Sequence, residues 1–159
     1  MKLIVGGEYQ GKLDYALERF GLAPGDVWFC EYAGTRIVTD KPVIYKIERW
    51  VFNAMRAGLD PEAEFAPLRD GFRGKIIICT DISCGVVPAD PALRAWRETV
   101  GRVCARIARD SDEVVRMFCG ISTTLSPIAA PPTRRTGRGR EASVTRDADG
   151  GVLYLETEK

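Results

Sequence analysis

The 159-residue sequence predicts an α/β domain of P-loop type, a mostly parallel sheet with helices on both faces, followed by a short C-terminal extension. Three observations carry that expectation. An apolar run, Leu3-Ile4-Val5, passes directly into Gly6-Gly7-Glu8-Tyr9-Gln10-Gly11-Lys12-Leu13, which has the spacing of a phosphate-binding loop. Lys75-Ile76-Ile77-Ile78-Cys79-Thr80 is continuously apolar rather than alternating, as a parallel strand covered by helices on both faces must be. Strand-like runs also alternate with helix-periodic ones along residues 1–125, which argues for a parallel sheet.

In order, Lys2–Val5 reads as a buried strand and Lys12–Phe20 as a helix with apolar Leu13, Ala16, Leu17 and Phe20. Strand, glycine loop, helix is the order a phosphate loop requires. Gly21 and Pro24-Gly25 mark a turn, Asp26–Cys30 a second strand ending near Glu31, and Arg36–Thr39 a third strand ending on Asp40. Pro42 suits a helix start, and Val43, Ile44, Ile47, Val51 and Met55 predict an amphipathic helix from Val43 to Met55, ended by Gly58. A short helix follows over Pro61–Leu68, and the Gly71–Gly74 turn precedes the Lys75–Thr80 strand. Leu93, Trp96, Val100, Cys104 and Ile107 predict a helix from Asp90 to Ala108, and Glu113–Cys119 a strand closed by Gly120. After Leu125, three prolines and the cluster Arg134, Arg135, Arg138 and Arg140 read as an extended, solvated linker. The expected organisation is therefore a nucleotide-binding domain over 1–125 and an extension over 126–159, with a possible hairpin around Asp149-Gly150-Gly151.

Composition narrows the function. A content of 45% hydrophobic and 28% charged residues is that of a globular domain, and a net charge of +1 argues against a generally basic nucleic-acid binder. The five cysteines, Cys30, Cys79, Cys84, Cys104 and Cys119, contain no C-x-x-C. Cys30, Cys79 and Cys119 lie in apolar strand-like runs, and the set reads as reduced core residues of a cytoplasmic protein. Neither a signal peptide nor an apolar stretch of about 18 residues is indicated, so no membrane partner is expected. The sequence has no histidine, which removes the commonest general base and any phosphohistidine or nucleotidyl-histidine intermediate.

The candidate site follows from the loop. Backbone N–H groups of Gly6, Gly7, Glu8, Tyr9, Gln10 and Gly11 would close around phosphates, and Lys12 would reach the β/γ oxygens. Leu13 stands where a Ser or Thr normally ligates Mg²⁺, so the metal would depend on nucleotide oxygens, water and an acidic strand-end residue, Asp81 or Asp40. A tight glycine turn with Lys12 solvated and Leu13 in the core fits the same residues. Asp81 equally suits the capping of its own turn. Arg94 and Arg97 are candidates for substrate phosphate, or members of a solvated helix face. The Arg134–Arg140 run reads as a soluble segment, with an interaction module acting through this basic tail as the alternative.

Thr80-Asp81, Gly85-Val86-Val87-Pro88, Arg94, Trp96-Arg97-Glu98, Gly101-Arg102, Arg106 and Asp112-Glu113-Val114 running to Gly120 resemble the adenosylcobinamide kinase / adenosylcobinamide-phosphate guanylyltransferase family of cobalamin assembly. The Gly6-Gly7…Gly11-Lys12 loop looks like that family's phosphate loop. The resemblance implies a P-loop fold, ATP or GTP with Mg²⁺, a corrinoid acceptor, phosphoryl transfer to adenosylcobinamide with Lys12 and Asp81 as catalytic groups, and a homo-oligomer. This chain departs at Leu13 for the family's Ser, Thr80-Asp81 for Asn-Glu, Ser83 for Gly and Cys104-Ala105 for Asn-Gln, and between Glu31 and Gly74 it is shorter. Without histidine, guanylyl transfer through a covalent histidine is excluded. The alternative is a catalytically inactive nucleotide-binding or regulatory relative.

Overall fold

The computed structural model describes residues 1–30, 34–37, 40–125, 145–146 and 152–153. The chain divides into two compact units, Met1–Ile128 and Ala129–Lys159. In the first, the strands are β1 (Lys2–Gly6), β2 (Val27–Phe29), β3 (Val43–Tyr45), β4 (Ile76–Thr80), β5 (Glu113–Phe118) and β6 (Ile121–Leu125). They form one sheet in the order β2-β3-β4-β1-β5-β6. The first five are mutually parallel, and β6 runs antiparallel to β5 at one edge. β1 lies between two partners distant in sequence, with Lys2 opposite Ile76 on one side and Glu113 on the other.

Helices cover both faces, as the continuous apolar strand requires. Helix α1 (Lys12–Phe20) packs Ala16, Leu13, Leu17 and Phe20 on the face carrying Ile4, Val43, Ile76, Ile78 and Val115. The opposite face, with Leu3, Ile44, Ile77 and Cys79, takes α2 (Ile47–Arg56), α3 (Pro61–Phe65) and α4 (Pro91–Asp110). In α2 the buried Ile47, Trp50, Val51 and Ala54 follow helical spacing, so one stripe faces the sheet. Each large side chain so buried contributes about 1.5–3 kcal/mol relative to exposure. Asp60 and Asp90 cap α3 and α4 by accepting from the N–H groups of Glu62 (3.0 Å) and Ala92 (2.8 Å).

Two expectations need correction, and one element was not expected. Val43–Tyr45 is a strand rather than the first turn of a helix. Its β-branched and aromatic residues pair with both β2 and β4, and α2 starts only at Ile47. Arg36 and Ile37 are not in a strand, and residues 38–39 of that expected strand lie outside the described residues. β6 had no counterpart in the sequence reading. In the second unit, Thr145–Arg146 pairs antiparallel with Val152–Leu153. The rest of the expected hairpin and the Arg134–Arg140 cluster lie outside the described residues.

Candidate phosphate-binding site

The carboxyl ends of β1, β4 and β5 converge on the Gly6–Leu13 loop, which is where open α/β sheets bind ligands. Gly6 is required by close approach. A Cβ there would stand 2.6 Å from the Met117 carbonyl oxygen and 2.9 Å from the Met117 Cβ. Gly11 caps α1 at φ +71°, a conformation that favours glycine. The Asp81 N–H donates to the Gly6 carbonyl (2.8 Å), and the Cys119 N–H donates to Gln10 Oε1 (2.7 Å), so neighbouring strand ends hold the loop on both sides. At its tip Tyr9 is 98% exposed and adopts φ +59°, a strained value for a residue with a Cβ.

Lys12 is buried, and its ammonium donates to the Gly7 carbonyl at 2.6 Å, folding back over its own loop. Burial lowers its pKa, and the Lys46 charge adds to that, while Glu8 and Glu48 oppose it. Leu13 points into the α1-side core rather than toward the loop interior.

Two residues that the sequence reading did not single out stand beside this loop. Lys46, directly after β3, has φ +61° and places Nζ 3.4 Å from Glu8 Oε1. Glu48, in the first turn of α2, is 2% exposed, and its Oε2 accepts from the Thr80 N–H at 3.0 Å. Burial raises its pKa, and hydrogen bonding from Thr80 opposes the shift. The Thr80 hydroxyl is buried without a hydrogen-bond partner of good geometry. Had Val43–Tyr45 been read as a strand, Lys46 and Glu48 would have stood just beyond its carboxyl end.

Asp81 lies at the loop, but its carboxylate is engaged by the Ser83 N–H (2.9 Å), the Ser83 hydroxyl and the Cys84 thiol (3.4 Å). Burial would raise its pKa, yet these donors and the Arg116 charge hold it below the usual carboxylate range. Asp40 precedes β3 and is exposed at the amino ends of the strands, so the fold does not bring it to the loop. Among the described residues, no group of three or more His, Cys, Asp or Glu is placed to hold a metal ion. With Leu13 in the core and Asp81 committed to its turn, these residues do not fit a protein-held Mg²⁺.

The family model for cobinamide kinase / cobinamide phosphate guanyltransferase matches residues 50–125. Over these residues the chain is similar to that family. Among curated proteins, none matches the chain. The matched segment starts after the glycine loop and spans α2 from Trp50 onward, α3, β4, α4, β5 and β6. The mostly parallel sheet is the P-loop NTPase-like α/β arrangement expected of this nucleotide-binding family.

Within the matched segment, Arg94 and Arg97 brace the loop before α4. Arg94 donates to the Pro88 (2.9 Å) and Ala89 (2.6 Å) carbonyls, and Arg97 to those of Val86 (2.9 Å) and Ser83. Their forks are committed to backbone, which leaves Val86 and Val87 exposed on a braced loop. Arg102 pairs with Glu62 and Glu98, and Arg106 with Glu62.

The cysteines are free thiols. Cys30 and Cys79 are buried, and burial pushes the Cys30 thiol up to about 12. Cys84 and Cys119 are exposed rather than in the core; Cys119, expected in the apolar strand, stands at φ +50°, because β5 ends at Phe118 and the chain turns there into β6. No helix among the described residues is long and apolar enough to cross a membrane.

Proposed function

We propose that the Gly6–Leu13 loop binds the phosphates of ATP or GTP and that the chain is a cobinamide kinase-like protein of cobalamin assembly, acting on a corrinoid acceptor. The observation that carries this is the combination of a glycine jammed against β5, a left-handed Gly11 opening α1, and a buried Lys12 over the loop. Loop N–H groups and the N-terminus of α1 present positive dipole ends to phosphate. Lys12 leaves the Gly7 carbonyl to neutralise β/γ oxygens, and its partial desolvation strengthens that contact. Asp81 supports the loop from the neighbouring strand end through its N–H to the Gly6 carbonyl, and its carboxylate would have to leave the Ser83 turn to meet an acceptor. The matched segment supports the corrinoid reading, because its family description names a cobinamide kinase and a cobinamide phosphate guanyltransferase. A chain without histidine cannot pass a guanylyl group through that side chain.

The test is equilibrium binding of ATP and GTP to wild type and to Lys12→Ala, followed by a cobinamide phosphorylation assay. Binding that falls about tenfold or more in the variant supports the loop. Absence of binding by wild type overturns it. A second reading, a nucleotide-binding relative without turnover, is favoured by Leu13 in the core and by the committed Asp81 carboxylate. Turnover by wild type sinks it, whereas turnover gained only in Leu13→Ser supports it.

A further inference from the structure

We propose that Lys46 is a second phosphate-binding cation of this loop, taking the electrostatic role of the divalent cation that the surrounding residues do not fit, so that polyphosphate binds without Mg²⁺. The inference rests on the reading of Gly6–Leu13 as a phosphate loop. β3 ends at Tyr45 and α2 begins at Ile47, leaving one residue to reverse the chain. That residue takes φ +61° while carrying a long side chain, a conformation glycine would adopt without strain. The turn places the ammonium 3.4 Å from Oε1 of Glu8, a residue of the glycine loop, with the Lys46 side chain 17% exposed.

The charge of Lys46 is felt at Lys12, whose protonated form it disfavours. Two ammonium groups sharing one site repel each other until a polyanion enters between them. Glu8 and the buried Glu48 are among the charges that balance them in its absence, and Glu8, with a side chain 42% exposed, is a counterion that phosphate can displace. Because Glu8 keeps access to solvent, its carboxylate can leave Lys46 for water at modest cost when a phosphate takes its place. Lysine suits the task as a compact point charge for phosphate oxygens. Leu13 in the core, Asp81 tied into its turn and Asp40 at the far end of the sheet leave no comparable protein site for a metal among the described residues.

The experiment is calorimetric binding of ATP in excess EDTA and, separately, in Mg²⁺. The proteins are wild type, Lys46→Gly, Lys46→Met, Glu8→Gln and Lys12→Ala. Glycine accepts the left-handed backbone, and methionine keeps most of the stem without charge. Wild type is expected to bind in EDTA, with both Lys46 variants weaker by about tenfold or more. Glu8→Gln should bind more tightly than wild type, since it removes a competing carboxylate. Binding by wild type only in Mg²⁺, or Lys46 variants equal to wild type in EDTA, would overturn the role of Lys46 while leaving the loop in place. No binding by wild type in either condition would remove the loop reading and this one together.

Discussion

Glu48 shows how much one buried carboxylate can set the behaviour of a site. Its pKa is raised above 4.5 by burial, so between 4.5 and the raised value the folded state holds more protons than the unfolded one. Stability credited to this group is therefore full below 4.5 and is lost as pH rises through the folded pKa. Glu48→Gln keeps an acceptor for the Thr80 N–H and removes the charge. The stability of this variant relative to wild type should rise from acid to neutral pH in chemical denaturation, and a flat difference would contradict the burial argument. Thiol labelling checks a second residue-scale contrast. Exposed Cys84 and Cys119 should react rapidly at neutral pH, while Cys30, buried and pushed up to about 12, should react only on unfolding. Lys12 and the loop glycines were legible because a phosphate loop has a fixed local spacing. Lys46 and Glu48 were not, because their role depends on where β3 ends.

That strand is the element at which pattern reading failed. Val43, Ile44, Ile47, Val51 and Met55 fit a helical period, yet a three-residue strand followed by a single left-handed residue accounts for the same apolar positions. Periodicity cannot separate a short buried strand from a helix turn when one runs into the other. β6 escaped for the opposite reason. Its Ile-Ser-Thr-Thr-Leu run is exposed throughout, so no buried face imposed an alternating pattern. The strongly apolar elements, β1 and β4, and the long periodic α4 were plain in the sequence, because burial on a defined face dictates their residues. At this scale Gly6→Ala is the sharpest test. A methyl group 2.6 Å from the Met117 carbonyl must push β1 from β5, and we expect a loss of about 1–3 kcal/mol in thermal or denaturant unfolding. Arg97→Ala should raise amide hydrogen exchange across Ser83–Ala89 with little change in β4, since Arg97 ties the Ser83 and Val86 carbonyls to α4.

For the whole molecule, the alternation of strands and helices gave the architecture, while the strand order could not be seen locally, because β1 pairs only with distant segments. The division at Ile128 carries a further expectation. Removing residues 129–159 should leave nucleotide binding intact and shift the melting midpoint by less than about 2 °C, whereas a larger loss would show that the first unit depends on the second. The central place of β1 also has a consequence during synthesis. This strand is made before either of its neighbours, and its ladder on the β5 side cannot form until Glu113–Met117 has been added. Until then its β5-side edge keeps unpaired N–H and C=O groups open, closing it means closing a long loop, and the growing chain is exposed to misassociation. The loop that follows β1 can reach its final shape only after Met117 and Cys119 arrive to hold Gly6 and Gln10, so the earliest part of the candidate site to be translated is among the last to mature.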